Sequence, residues 1–306
     1  MVYKCAGRFR IDPDTDEPIC DYEAPKKWSG RCPKCRMPYD AQRYGAERSK
    51  TKIEPMSLAS AVKPLLRMPT GVPHFDDVIG GGLVGGVVIL LGGARGSGKT
   101  TLTVMLCDAF ATEKRRVMYA SAEENEESVI LTGQRIGALN PHVDIIGNER
   151  ATDLDRIFER ARDIKPALLV IDALQAVTSG AGIDAGGPAG RGIQAATQIG
   201  RFCEKTNICA IVLNHVTRAN EFAGSATVEH FVKTIMMFAP FNPADDGSLK
   251  SCVPKEELEA GLSVDDVRVL LGVGKNRIGP ANEKRFFEMT ATGLRPIPRK
   301  SKLHSV

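Results

Sequence analysis

The segment GARGSGKT, Gly93 to Thr100, fits the spacing G-x-x-x-x-G-K-[ST] at every fixed position. That spacing is a device for holding phosphate. Gly93, Gly96 and Gly98 let the backbone fold around an anion with its N–H groups inward, Lys99 reaches the β- and γ-phosphates, and the Thr100 hydroxyl ligates Mg²⁺. Ala94, Arg95, Ser97 and Thr101 complete the expected cradle. A bound Mg²⁺ calls for a carboxylate at the tip of a neighbouring strand. ALLVID supplies Asp172 directly after five apolar residues. Without such a duty, a carboxylate at a buried strand tip is costly. Ala173 follows it, so the group that polarises the attacking water must come from elsewhere. VMYASAEENEES offers Glu123, one or two residues past another strand tip and able to face the γ-phosphate, whereas Glu124 suits a helix start.

Two further groups of residues could do chemistry. Cys32-Pro-Lys-Cys35 is a C-x₂-C knuckle, with Cys5 and Cys20 upstream. The polar N-terminus has no signal-peptide core, so the expected compartment is the cytoplasm, and clustered thiols there read as metal ligands before disulfides. Cys107, Cys203, Cys209 and Cys252 read as ordinary thiols. The other group is GKNRIG, Gly274 to Gly279, which ends the apolar run VRVLLGV and sets Lys275 and Arg277 on a tight turn. On the residues alone, a solvated basic hairpin explains that turn as well as an anion contact does.

The elements that must position these groups are short apolar runs alternating with helix-like stretches. The runs are 87–91, 117–121, 167–171, 208–213, 231–238 and 267–273. They are continuously apolar rather than alternating, which predicts an α/β domain with a mainly parallel central sheet buried on both faces. The expected organisation is a small cysteine module over 1–40, a linker over 41–66, the α/β domain over 67–294 and a basic tail over 295–306. The glycine-rich stretch 178–192 is long for a connection, and loops of that length are often functional. The 306 residues carry a formal net charge of +4, which permits nucleic acid without arguing for it. No apolar run approaches the roughly 18 residues of a membrane span.

Taken together, WSGRCPKC, TGVPHFDDVIGGGLVGGVVILLGG, YASAEEN, LLVIDALQAV, LNHVTRANEFAGSATVEHFVKTIMMF, GKNRIG and FEMTATGL make the chain resemble the bacterial RadA (Sms) family of DNA-repair ATPases, of the RecA/DnaB-type P-loop group. The last two motifs are the most specific, although Ile278 stands where the family has Phe. The resemblance implies a RecA-like ATPase core after a zinc-ribbon-like module. It also implies ATP hydrolysis with Mg²⁺, a homo-oligomeric ring that is a hexamer, and action on single-stranded DNA in repair and recombination. The hydrolytic base falls at Glu123, and Lys275 and Arg277 act on the nucleotide of a neighbouring subunit. Zn²⁺ is held by Cys5, Cys20, Cys32 and Cys35, with an insertion between the first two. The nucleotide-sensing strand end falls at Asn214, His215 and Thr217, with Asn214 where the family usually has Gly, and DNA-contacting loops fall at 178–192 and from Arg218 onward. A small-molecule kinase is disfavoured, since no basic lid over an acceptor pocket is evident. A RecA-like filament or a nucleotide-dependent scaffold is the alternative. The chain stops where the family's Lon-like C-terminal domain would follow, so no protease activity is expected.

Overall fold

A computed structural model describes residues 3–4, 20, 22–24, 31–36, 64–147, 149–178, 187–216, 232–242 and 261–298. The chain divides into two compact units, Met1–Lys63 and Pro64–Val306. In the first, strands β1 (Tyr3–Lys4) and β2 (Glu23–Ala24) pair antiparallel.

The second unit begins with β3 (Arg67–Met68), α1 (Pro73–Ile79) and β4 (Leu83–Val84), the two strands pairing with each other. Then come β5 (Val88–Gly93), α2 (Lys99–Phe110), β6 (Val117–Ser121), α3 (Glu126–Ile136) and β7 (Val143–Gly147). The middle of the unit holds α4 (Glu149–Thr152), α5 (Leu154–Ile164), β8 (Leu168–Asp172), α6 (Gly187–Thr206) and β9 (Cys209–His215). It closes with β10 (Thr234–Pro240), β11 (Val267–Asn276), β12 (Lys284–Thr290) and β13 (Gly293–Pro296). One nine-stranded sheet runs β13-β12-β11-β10-β5-β9-β8-β6-β7. It is parallel from β10 to β7 and antiparallel from β10 to β13.

The continuous apolar strands have the expected cause. Ile89 and Leu91 face one core with Leu102, Leu106 and Phe110 of α2, while Val88 and Leu90 face a second core with Ile157 of α5 and Ile199 of α6. Each such full burial contributes about 1.5–3 kcal/mol. Local signals set the helix ends. Asn125 caps α3 by accepting from Ser128 N at 2.9 Å, and Gly137 ends it in the left-handed region at φ 73°.

The structure departs from the sequence reading in particular places. Strands β7, β12 and β13 were not expected, because their residues are only half-buried and lack the continuous apolar signature. The fifth expected strand starts later, at Thr234. Helix α6 starts at Gly187, inside the stretch taken as a loop to 192. The α/β domain also extends past 294: β13 runs to Pro296, Arg295 pairs with Glu288 at 2.6 Å, and Ile297 is buried against Phe286. Among the described residues no helix is long and apolar enough to cross a membrane.

Candidate nucleotide site

Strand register brings the chemistry to one edge of the parallel sheet. Gly93 of β5 stands level with His215 of β9, and Asp172 of β8 level with Ser121 of β6. The loop from Gly93 turns directly into α2, whose first two residues are Lys99 and Thr100. Gly93 is obligatory for space, since a Cβ there would lie 2.3 Å from the Phe238 carbonyl oxygen. Gly98 is needed for conformation, at φ 97°.

Lys99 is 6% exposed and its Nζ donates to the carbonyls of Gly93 and Ala94 at 2.8 and 2.9 Å. Burial lowers its pKa, opposed by the negative charges of Asp172 and Glu123 nearby. Thr100 Oγ1 donates to Asp172 Oδ2 at 3.0 Å, and the Tyr119 phenol donates to the same oxygen at 2.7 Å. Burial raises the Asp172 pKa, against these two hydrogen bonds. Glu123 sits two residues beyond the tip of β6, with His215 Nε2 at 2.8 and 3.0 Å from its two oxygens. Glu124 has its pKa raised by burial and by the carboxylates of Asp172 and Glu123. Its backbone N–H donates to Ser121 Oγ at 3.1 Å. Asn214 is fully buried and accepts from Gln175 Nε2.

The donor set fits a magnesium–phosphate ligand. Thr100 and Asp172 present hard oxygens side by side, as Mg²⁺ prefers. Ser97 Oγ, Asn214 Nδ2 and His215 Nδ1 are buried without a hydrogen-bond partner among the described residues. Buried polar atoms are nearly always paired, so orphans gathered at one edge point to a polar ligand there. Thr101, in the first turn of α2, turns its hydroxyl to Arg135 Nη2 at 3.5 Å. Ala94, Arg95 and Gly96 form the exposed rim. Thr217 and Arg218 lie outside the described residues, as do 179–186 of the glycine-rich stretch.

Lys275 and Arg277 are not brought to this edge. Arg277 N donates to Lys233 O at 2.9 Å, and Lys233 N to Val88 O at 3.1 Å, so the turn stands level with the start of β5. Gly93 lies five residues further along β5, about 17 Å at about 3.3 Å per residue. Asn276 anchors the turn. It accepts from Thr234 Oγ1 at 3.1 Å and Ile278 N at 3.2 Å, and donates to Val78 O at 3.3 Å and Pro280 O at 2.8 Å. Ile278 is buried at 6% exposure, and Arg277 is exposed.

In the first unit, the sulfurs of Cys20, Cys32 and Cys35 lie within 4.8 Å of one another, Cys20 and Cys32 at 3.9 Å. Tetrahedral Zn²⁺ with bonds of about 2.3 Å sets sulfurs about 3.8 Å apart. Lys34 N donates to Cys32 Sγ at 3.4 Å. Cys5 lies outside the described residues, so three of the four expected ligands are seen together.

Tyr119 and Gln175 belong to the site and were missed in the sequence. A tyrosine in a wholly buried strand needs a partner for its hydroxyl, and that was the available signal for Tyr119. For Gln175, which follows β8 in a short 3₁₀ turn, no sequence signal is evident.

A family model described as AAA domain matches residues 64–221. Among curated proteins, the chain is similar to DNA repair protein RadA of Halalkalibacterium halodurans, 27% identical over 296 residues. That match covers 93% of this chain and 59% of the relative. RadA of Aquifex aeolicus is 29% identical, covering 92% of this chain and 59% of its own length. RadA of Bacillus subtilis is 26% identical, with 93% and 59% covered. The chain thus spans 59% of the length of these relatives. A crystal structure of a KaiC-like protein from Pyrococcus horikoshii superposes with a TM-score of 0.54 at 17% identity, covering 77% of this chain and 100% of that one. At that identity the likeness is one of fold, a RecA-like α/β domain with a mostly parallel central sheet.

Proposed function

This chain belongs to the AAA-domain family, and on that premise we propose that it is an ATP hydrolase acting on single-stranded DNA, as a motor or mediator in DNA repair and recombination. It works as a homo-oligomeric ring, a hexamer, with nucleotide at the seams. The observation that carries the reading is the row of groups at one sheet edge, Lys99, Thr100, Asp172 and Glu123, while the basic turn stands about 17 Å away along the strands. The similarity to RadA proteins along 93% of the chain supplies the DNA context.

In this reading the P-loop N–H groups and Lys99 hold the phosphates, Lys99 leaving its carbonyl partners for the γ-phosphate. Mg²⁺ held by Thr100 and Asp172 would supply charge neutralisation on the phosphate oxygens when bound. Glu123 accepts the proton of the attacking water and His215 orients its carboxylate. Asn214 and Gln175 link that strand tip to β8 and register the state of the site. Lys275 and Arg277 cannot serve the site of their own chain at that separation. They serve a neighbour's, as an arginine finger does. Thr217 belongs with the nucleotide-sensing strand end, and residues 178–192 and the stretch from Arg218 onward contact the DNA. In the first unit, Cys5, Cys20, Cys32 and Cys35 hold Zn²⁺, which when bound would fix the fold of that unit.

The test is ATP turnover with and without single-stranded DNA. The expected result is a clear stimulation that fades with rising salt, as phosphate contacts require. Turnover indifferent to single-stranded DNA at low salt would overturn the DNA-motor reading while leaving the ATPase.

A further inference from the structure

We propose that Tyr119 is a positioning residue for the magnesium carboxylate and sets the metal-dependent part of nucleotide affinity. The inference rests on the reading that Asp172 and Thr100 form a Mg²⁺–nucleotide site. It goes beyond that reading by assigning a role to a residue outside the P-loop and the Asp172 strand.

The geometry carries it. Tyr119 is 1% exposed on β6, and its phenol donates to Asp172 Oδ2 at 2.7 Å. The same oxygen accepts from Thr100 Oγ1 at 3.0 Å. These two donors have different futures. A hydroxyl that ligates Mg²⁺ turns its lone pairs to the metal and no longer has Asp172 as its only engagement. The phenol sits on a strand and has no such alternative. It therefore fixes the carboxylate plane whether or not Thr100 is engaged. The Thr103 hydroxyl, one helical turn after Thr100, lies beside the phenol and donates to Lys99 O at 2.9 Å and Thr100 O at 3.1 Å. The phenol thus holds the metal carboxylate of β8 from β6, while Thr100 reaches the same oxygen from the first turn of α2.

Mg²⁺ demands near-ideal octahedral geometry and tolerates a swinging carboxylate poorly. Partners that orient metal-binding groups are typically worth about 10–100-fold in metal affinity. The phenylalanine variant keeps the ring, and with it the packing against Val104 and Cys107 of α2, and deletes only the donor.

The experiment measures ADP affinity by titration calorimetry for the parental protein and Tyr119→Phe, in excess EDTA and in saturating Mg²⁺. Mn²⁺ binding in the presence of ADP is followed by electron paramagnetic resonance. For Tyr119→Phe, ADP affinity in EDTA should stay within about twofold, while affinity in Mg²⁺ and the Mn²⁺ affinity fall about tenfold or more. Equal weakening in EDTA and in Mg²⁺ would mean a general disturbance of the P-loop and overturns the proposal. No weakening in either condition overturns it too. If the parental protein binds ADP equally with and without Mg²⁺, the metal-site reading itself fails, an outcome visible without any variant. Should Tyr119→Phe not fold, Thr103→Val provides the second arm. It leaves the phenol in place but removes its neighbour, and a smaller loss confined to the Mg²⁺ and Mn²⁺ titrations is expected. An unchanged metal dependence in that variant then counts against the proposal.

Discussion

Two basic groups of this molecule, Lys99 and Arg277, are built in opposite ways. Lys99 is almost wholly buried, is held by two carbonyls and lies near two carboxylates of its own chain. Arg277 is exposed on a turn whose rigidity comes from its neighbours: Asn276 makes four hydrogen bonds, and Ile278 is sunk into the core. At the P-loop the protein has placed both the charge and its partners. At the turn it has built a stiff mount and left the arginine outward. A rigidly mounted exposed charge is what the proposed action on a neighbouring subunit requires.

The largest expected effect tests that contrast directly. Arg277→Ala should lower ATP turnover about 10³–10⁵-fold, the range of trans-acting arginines in phosphoryl transfer. Mixed with Lys99→Ala, which lacks the phosphate lysine but keeps the turn, activity should return in proportion to mixed seams and vanish on dilution. No rescue, with subunit exchange shown by labelled mixing, would return the turn to a structural or DNA-facing role. Next in size, Glu123→Gln should retain ATP binding and lose turnover about 10²–10⁴-fold, the usual worth of a general base. Near-parental turnover would move the base to Glu124.

The smallest effect concerns stability. Burial raises the Asp172 pKa in the folded chain, so between the ordinary carboxylate value of about 3.9 and that raised value the folded state keeps a proton the unfolded state releases. The stability tied to that proton is fully present below about pH 3.9 and is lost as pH rises through the folded value. Asp172→Asn cannot lose it. The variant should therefore melt higher than the parent at neutral pH, by about 2–4 °C for each kcal/mol recovered. The gap should close on acidification below about pH 4. Melting curves across that range decide it, and a gap that widens in acid would contradict the burial account. The same variant should lose turnover, which separates the cost of the carboxylate from its use.

Some features could be read from the residues alone. Glycine spacing, a lysine and a threonine specify a phosphate cradle because local backbone geometry does most of the holding, and the P-loop lies where strand meets helix. Asp172 was legible as a charge at the end of an apolar run, and the doubly buried sheet as runs without alternation. Glu123 and the basic turn were placed along the chain by motif, but not in space. Tertiary structure decided what depends on register between distant strands. It set Tyr119 on the oxygen that Thr100 also reaches and His215 on Glu123, and it kept Arg277 away from Gly93 in its own chain. It also recruited β12 and β13 into the sheet, carrying the domain past residue 294 on the burial of Ile297. Hydrogen bonds between residues tens of positions apart leave no periodic trace in a sequence. Only the pairing of strands, fixed by the two cores, brings those side chains within reach.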